Sequence, residues 1–181
     1  KQIFRSKQIP VKENYNLQKC SLMRIGGSAL FISYPENIEQ LQNLLITCSK
    51  IGLAVYPIGS GSNLLIPSGR YDGLVLQLKS SHWSTCEALD QCSYQVGTGC
   101  LLQHFLSEME NNGIGGFEFL DGIPGTLGGA LSMNAGTGTQ GIMDCVSSVT
   151  FFDKKGILHT LKHKDLNYAY RSCKSLENTI I

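Results

Sequence analysis

Two stretches of this sequence carry residue types suited to holding a phosphorylated ligand. The first, "YPIGSGSNLLIPSG" (56–69), crowds three glycines and three serines between apolar runs. Glycine is costly to order, so such a cluster marks either a tight turn or a close approach of backbone to something bound. The second, "GIGGFEFLDGIPGTLGGALSMNAGTG" (113–138), is glycine-rich yet carries Phe117, Phe119, Leu120, Ile123, Leu127, Leu131 and Met133. Such an apolar segment is expected to be partly buried, and buried irregular backbone must have its N–H and C=O groups satisfied. A ligand with many acceptors would satisfy the donors. Diphosphate fits, because successive free N–H groups make an anion-binding nest, and the same reasoning covers Gly59, Ser60, Gly61, Ser62 and Asn63.

Short nucleotide signatures do not settle which ligand this is. GxxxxGK(S/T) is absent, and although Gly59 and Gly61 supply GxG, Leu64 stands where GxGxxG needs its last glycine. Taken alone, the first loop reads equally well as a tight strand-to-strand turn. Other polar residues read as structural. His82, His104, His159 and His163 show no partner pattern for a base. Glu118 and Asp121 fit turn capping better than acid–base work, Arg24 fits local anchoring, and Trp83 fits packing. Tyr170 and Arg171 alone read as a half-buried tyrosine beside a surface arginine.

The elements around these stretches mix strands and helices. Strands are predicted over 29–34, 53–58, 71–78 and 93–99. A helix over 35–52 carries Ile38, Leu41, Leu44, Leu45 and Cys48 at helical spacing, with Pro35 near its start and Gly52 as its cap. A second helix over 101–113 turns Leu102, Phe105, Leu106 and Met109 inward and ends at Gly113. "VSSVTFFDKKGILHTL" (146–161) alternates around "DKKG", a β-hairpin pattern. The β-α-β succession argues for a sheet with a helix across it.

Composition bounds the function. The 181 residues suffice for one well-buried domain or two small lobes. With 42% hydrophobic and 16% charged residues the chain is an ordinary globular sequence, not a disordered one. Fifteen basic residues balance fourteen acidic ones, which gives no overall field for nucleic acid or an anionic membrane. The loose group Lys154, Lys155, Lys162 and Lys164 reads as a solvated hairpin. Seven cysteines without CxxC spacing disfavour both a zinc site and a full disulfide framework. The N-terminal residues show no signal-peptide pattern and no apolar run reaches spanning length, so a cytoplasmic location with reduced thiols is expected.

Taken in order, "MRIGG" (23–27), "PIGSGSNLLI" (57–66), "GFEFLDGIPGTLGGALSMNAG" (116–136) and "YAYRS" (168–172) resemble the UDP-N-acetylenolpyruvoylglucosamine reductase family. The resemblance spans about 16–172 and rests above all on the long GIPGTxGGAxxMNAG block. It implies an α+β, two-lobed FAD-binding domain of the vanillyl-alcohol-oxidase (PCMH) type. The lobes would be 1–78, with a phosphate loop at 57–66, and 79–173, with the glycine block 113–138 and a hairpin at 147–161. It further implies non-covalent FAD, NADPH as hydride donor, and a UDP-sugar enolpyruvyl ether reduced to UDP-N-acetylmuramate in peptidoglycan precursor synthesis. No nucleic acid, membrane or obligate protein partner is implied.

On the resemblance, Pro57, Ile58, Gly59, Ser60, Gly61, Ser62, Asn63 and Leu64 would hold the FAD diphosphate. Ile123, Pro124, Gly125, Thr126, Gly128 and Gly129, with Asn134, Ala135 and Gly136, would line the flavin and the remaining phosphate contacts. Arg171 would face the enolpyruvyl carboxylate with Tyr170 lining the same pocket; a planar guanidinium grips a carboxylate bidentately and stabilises enolate charge. Thr137 and Gly138 stand where the family usually has a small residue and a substrate-facing aromatic, and the YRxS pattern reads Tyr170, Arg171, Ser172, Cys173. Family members continue for a further domain bearing a proton-donating serine and a late glutamate. Residues 174–181 are accordingly expected to begin a strand of that domain, and the chain to be a fragment with weak FAD binding and little turnover. A different oxidoreductase on the same fold, such as a sugar or alcohol oxidase, and an isolated cofactor-binding module remain as alternatives.

Overall fold

The computed structural model describes residues 2–5, 7 and 9–181. After the single turn α1 (Gln2–Arg5), strand β1 (Val11–Asn16) runs antiparallel to β2 (Ser28–Ser33). Helix α2 (Ile38–Lys50) leads to β3 (Val55–Pro57) and β4 (Arg70–Leu76). The four strands form one sheet in the order β1-β2-β4-β3, with β4 parallel to both β2 and β3. Leu74, Val75 and Leu76 are all buried, as a strand covered on both faces requires. Leu74 and Leu76 pack against Leu41, Leu44, Leu45 and Cys48 of α2, while Val75 joins Leu17, Ala29, Ile32 and Ile58 in a separate cluster. Alternation of side chains along a strand produces this split.

Helix α2 begins after Asn37, whose side chain accepts the Gln40 N–H at 2.9 Å and so satisfies one of the free amides of the first turn. Gly52 follows its end at φ +67°. Ile38 is exposed, so the core-facing stripe starts at Leu41.

Pairing of β3 with β4 decides what the first glycine loop is. Adjacent parallel strands cannot be joined by a tight turn, because the chain must return to the opposite end of the sheet. Residues 58–69 are that return, and the tight-turn reading is excluded. β4 also separates β2 from β3, so the two strands of the predicted β-α-β unit are not neighbours.

The rest of the chain surrounds a second core. β5 (Cys86–Ala88) pairs with β6 (Tyr94–Val96), and helices α3 (Leu102–Asn111) and α4 (Leu127–Ser132) follow. The predicted hairpin forms from β7 (Ser148–Phe152) and β8 (Leu158–Lys162), and β9 (Tyr168–Ala169) turns back onto β10 (Ser172–Cys173). Leu102, Phe105 and Met109 meet Leu120, Leu131 and Met143 in this core. Adjacent residues of β7 join the two halves: Phe151 enters the second core and Phe152 the core beneath α2. The hairpin turn is fastened to α2 by Gln42, which donates to the Gly156 carbonyl at 3.0 Å. Instead of beginning an extended strand, residues 174–181 make one 3-10 turn (Lys174–Leu176) and a single bridge in which Ile180 and Phe152 exchange both backbone bonds, at 2.9 and 2.7 Å. Burial of Ile180 beside Phe152 accounts for that return. No helix among the described residues is long and apolar enough to cross a membrane.

Candidate functional site

β3 delivers the first loop. Ile58 is buried with its side chain in the sheet core and its N–H on the Leu76 carbonyl at 2.8 Å, so it anchors the loop rather than facing a ligand. Beyond it, Gly59 and Ser60 are exposed. Two carbonyls of the loop are fastened to the body of the protein. Gln77 Nε2 donates to the Gly59 oxygen at 3.0 Å, and the Leu22 N–H donates to the Gly61 oxygen at 3.2 Å. Gly61 sits at φ +74°, and a Cβ there would overlap the Cys20 carbonyl oxygen, so both conformation and space demand glycine. The N–H groups of Gly59, Ser60, Gly61, Ser62 and Asn63 find no acceptor among the described residues.

The loop lies directly on the second glycine block. Ser62 Oγ donates to the Pro124 carbonyl at 2.8 Å, Asn63 Nδ2 reaches Met133 Sδ at 3.1 Å, and a Cβ on Gly59 would stand 2.5 Å from Thr126 Oγ1. A cavity of about 170 Å³ opens between Ser60 and Ser62 on one side and Pro124 and Gly125 on the other, walled also by Leu22, Leu101 and Gln103. That is below the roughly 300–1,000 Å³ that enclose a whole drug-sized ligand, and it suits a phosphate-sized portion. No carboxylate lines it. The residues present therefore fit a diphosphate: unpaired donors, a left-handed glycine and no opposing negative charge.

Part of the block is more regular than its composition predicts. Residues 127–132 coil into α4 despite Gly128 and Gly129, because Thr126 Oγ1 caps the Gly129 N–H and residues 98–100 hold the first turn. The N–H groups of Leu127 and Gly128 bond the carbonyls of Cys100 and Thr98, each at 2.8 Å. These donors serve the fold, whereas those of Gly125 and Thr126 have no acceptor among the described residues. Ile123 is half-buried against the second core. Ala135 is buried with its N–H on Ala130 at 2.9 Å, and Gly136 passes so close to Gln140 that a Cβ would collide with its carbonyl. Leu64 packs at the edge of the first-half core.

Asn134 connects the block to the β9–β10 turn. At φ +44°, it donates to the Ala169 carbonyl at 3.2 Å and accepts the Met143 N–H at 3.1 Å. Tyr170 and Arg171 form the tip of that turn. Tyr170 is 83% exposed, with the Arg171 guanidinium 5.4 Å from its ring centre. Arg171 has φ +57°, a left-handed backbone that non-glycine residues adopt at a cost and that is common at functional sites. The turn thus stands beside the glycine block through Asn134, while the described residues do not enclose Tyr170 in a pocket. Gln77, Leu22, Leu101 and Gln103 escaped the sequence reading. For Gln77 a signal existed: one polar residue inside the apolar run "LVLQL".

Glu118 and Asp121 shape the turns that present the block. Both Glu118 carboxylate oxygens accept the Gly116 N–H, at 3.0 and 2.9 Å, and Asp121 Oδ1 accepts the Gly122 N–H at 2.9 Å. The Gly116 amide holds the Glu118 carboxyl below the usual carboxylate range. A depressed folded-state pKa gives a contribution that is present above the ordinary value and lost as pH falls through the lowered one. The Gly116 amide proton shift, followed by NMR, is expected to titrate with a midpoint below the ordinary glutamate value of about 4.3. A midpoint at or above it would contradict the assignment.

A family model described as an FAD binding domain matches residues 29–162. Over 170 residues the chain is 35% identical to UDP-N-acetylenolpyruvoylglucosamine reductase of Rickettsia rickettsii (strain Sheila Smith), covering 94% of this chain and 57% of that protein. Among solved structures, UDP-N-acetylenolpyruvylglucosamine reductase from Thermus caldophilus superposes with a TM-score of 0.79 at 28% identity, covering 95% of this chain and 59% of that one. Xylooligosaccharide oxidase from Myceliophthora thermophila C1 superposes at 0.68 with 16% identity, over 91% of this chain and 37% of that one, a likeness of fold alone. The α+β architecture is that of the vanillyl-alcohol-oxidase (PCMH) type. The chain spans under two thirds of the length of the reductases it matches.

Proposed function

The chain belongs to the FAD binding domain family, and on that premise we propose that it is the cofactor-holding part of an NADPH-dependent UDP-N-acetylenolpyruvoylglucosamine reductase. The observation that carries the cofactor role is the run of unpaired N–H groups at 59–63, laid against the glycine block by the Ser62 to Pro124 bond. These amides and the Ser60 hydroxyl would hold the FAD diphosphate, with Gly125 and Thr126 adding N–H donors from the facing side. Ile123 and Pro124 would flank the isoalloxazine and keep water from it. Bound there, FAD supplies a two-electron carrier between NADPH and the enolpyruvyl double bond.

The residues of this chain do the binding and orienting. Arg171 would grip the substrate carboxylate with two parallel N–H donors and stabilise the negative charge that spreads onto it as hydride reaches the terminal carbon of the enolpyruvyl double bond, the carbon not bonded to the carboxylate. Tyr170 would set the guanidinium plane through the ring contact already present. Asn134 holds the turn that presents both. The product would be UDP-N-acetylmuramate, and the proposed setting is peptidoglycan precursor synthesis in the cytoplasm.

The test is a visible absorption spectrum of the purified chain, before and after FAD, followed by anaerobic NADPH. FAD bound with a perturbed flavin spectrum that bleaches on NADPH is the expected result. A colourless protein that leaves the spectrum of added FAD unchanged would overturn the cofactor reading.

A further inference from the structure

We infer that Gln77 is a positioning residue that aims the anion-binding amides of the first loop; the inference rests on the phosphate-loop reading above. Gln77 lies one residue past β4 and is 1% exposed, a buried primary amide in an apolar environment. Its polar atoms are engaged on both sides. Nε2 donates to the Gly59 carbonyl at 3.0 Å, and Oε1 accepts the Cys20 Sγ–H at 3.5 Å. Its own backbone N–H is on the Ser33 carbonyl at 3.1 Å, which fixes the side chain's origin to the sheet. Burial raises the Cys20 pKa, which keeps the thiol protonated and able to donate. With Oε1 taken by a donor, the amide is held in the orientation that leaves Nε2 to the loop.

In a trans peptide the C=O and the following N–H point in opposite directions, and the described residues contain no cis bond. Gln77 draws the Gly59 oxygen into the protein, so the Ser60 N–H is turned outward. The Leu22 N–H does the same to the Gly61 oxygen, which turns the Ser62 N–H outward. Ser60 and Ser62 both line the cavity between the loop and the block. Two carbonyls pinned from behind thus produce two outward donors at that cavity. The second pin is a backbone group, available to any sequence; the first depends on a side chain that only a residue with a long-reaching N–H can replace. Without it, glycine's freedom lets the Gly59–Ser60 peptide rotate its oxygen toward the anion, replacing a donor by an acceptor.

Gln77→Met keeps the length and apolar packing and removes the donor. In the 181-residue chain we expect thermal stability within a few degrees of the parent and FAD affinity lowered about tenfold, the scale of one well-placed hydrogen bond to a charged group. Titration of inorganic pyrophosphate against ¹⁵N-labelled protein gives a second readout. The Ser60 amide resonance should shift strongly in the parent and weakly in the variant, with Ser62 less affected. Equal affinity for FAD and equal shifts at Ser60 would overturn the inference while leaving the phosphate-loop reading intact. If the parent binds neither FAD nor pyrophosphate, the phosphate-loop reading fails. The positioning role is then decided by the unliganded Ser60 amide, whose shift must differ between parent and variant if Gln77 sets that peptide. If Gln77→Met does not fold, a through-hydrogen-bond coupling from Gln77 Nε2 to the Gly59 carbonyl in the parent supports the positioning, and rapid solvent exchange of that side-chain amide overturns it.

Discussion

Replacing Gly61 by alanine is expected to remove about 2–5 kcal/mol of stability, from left-handed backbone cost and forced overpacking together, and to abolish FAD binding. Two independent demands meet at this position. A φ of +74° is one that only glycine adopts without penalty, and the space a Cβ would enter holds the Cys20 carbonyl oxygen. That oxygen is backbone, with no rotamer by which to move aside, so either the 20–22 segment or the loop must shift. Either shift breaks the Leu22 to Gly61 bond that turns the Ser62 N–H outward. Gly52 supplies the control. Its φ is +67° but nothing lies within 4 Å of a Cβ, so Gly52→Ala should cost only the conformational part, about 1–2 kcal/mol. Urea unfolding of the two variants separates the effects. Equal losses at the two positions would show that the Cys20 contact imposes nothing.

The elements that place this loop were legible where one segment's own pattern decides its structure. The 3.6-residue spacing of Leu41, Leu44, Leu45 and Cys48, and the alternation around "DKKG", report burial of one face, which any partner surface satisfies. Strand direction is not of that kind. Whether β4 runs parallel or antiparallel to β3 depends on contacts made across the sheet, and that direction alone turns residues 58–69 from a tight turn into a crossover. β1 left no apolar signal because it is an edge strand whose residues are mostly exposed. α4 was hidden for the opposite reason: paired glycines disfavour helix, and the bonds from Thr98, Cys100 and Thr126 that override them come from the fold.

The site divides along the same line. Glycine and serine at 59–62 announce accessible amides, since small side chains leave the backbone open to a ligand. Which of those amides face outward is settled behind the loop, by Gln77 and Leu22, and no feature within the loop specifies it. The "YAYRS" segment shows a third case. The residue types alone read as a tyrosine beside a surface arginine, carboxylate recognition is what the family resemblance implies, and the left-handed backbone of Arg171 is visible only in three dimensions.

At Arg171, alanine and glycine are expected to cost activity alike but to differ in stability, with glycine the more stable. In a preparation that turns over the UDP-sugar, Arg171→Ala and Arg171→Gly should each lower kcat/KM about 10²–10³-fold, the usual loss for one donor to developing oxyanion charge. Arg171→Lys should recover little of it, because an ammonium cannot make the paired, planar contact. In the 181-residue chain, Arg171→Gly should be more stable than Arg171→Ala by about 0.5–1 kcal/mol, the left-handed penalty of alanine exceeding the entropy cost of glycine. At an ordinary backbone position the order is reversed, so the sign of the difference reads the strain directly. Alanine more stable than glycine would mean that the turn relaxes out of φ +57° once the guanidinium is gone. Both substitutions leaving kcat/KM intact would remove Arg171 from the substrate site. Loss of activity with glycine the more stable variant would establish that the turn holds a conformation its own chain resists, and that what it presents there, a guanidinium over the Tyr170 ring at the edge of the glycine block, is the reason.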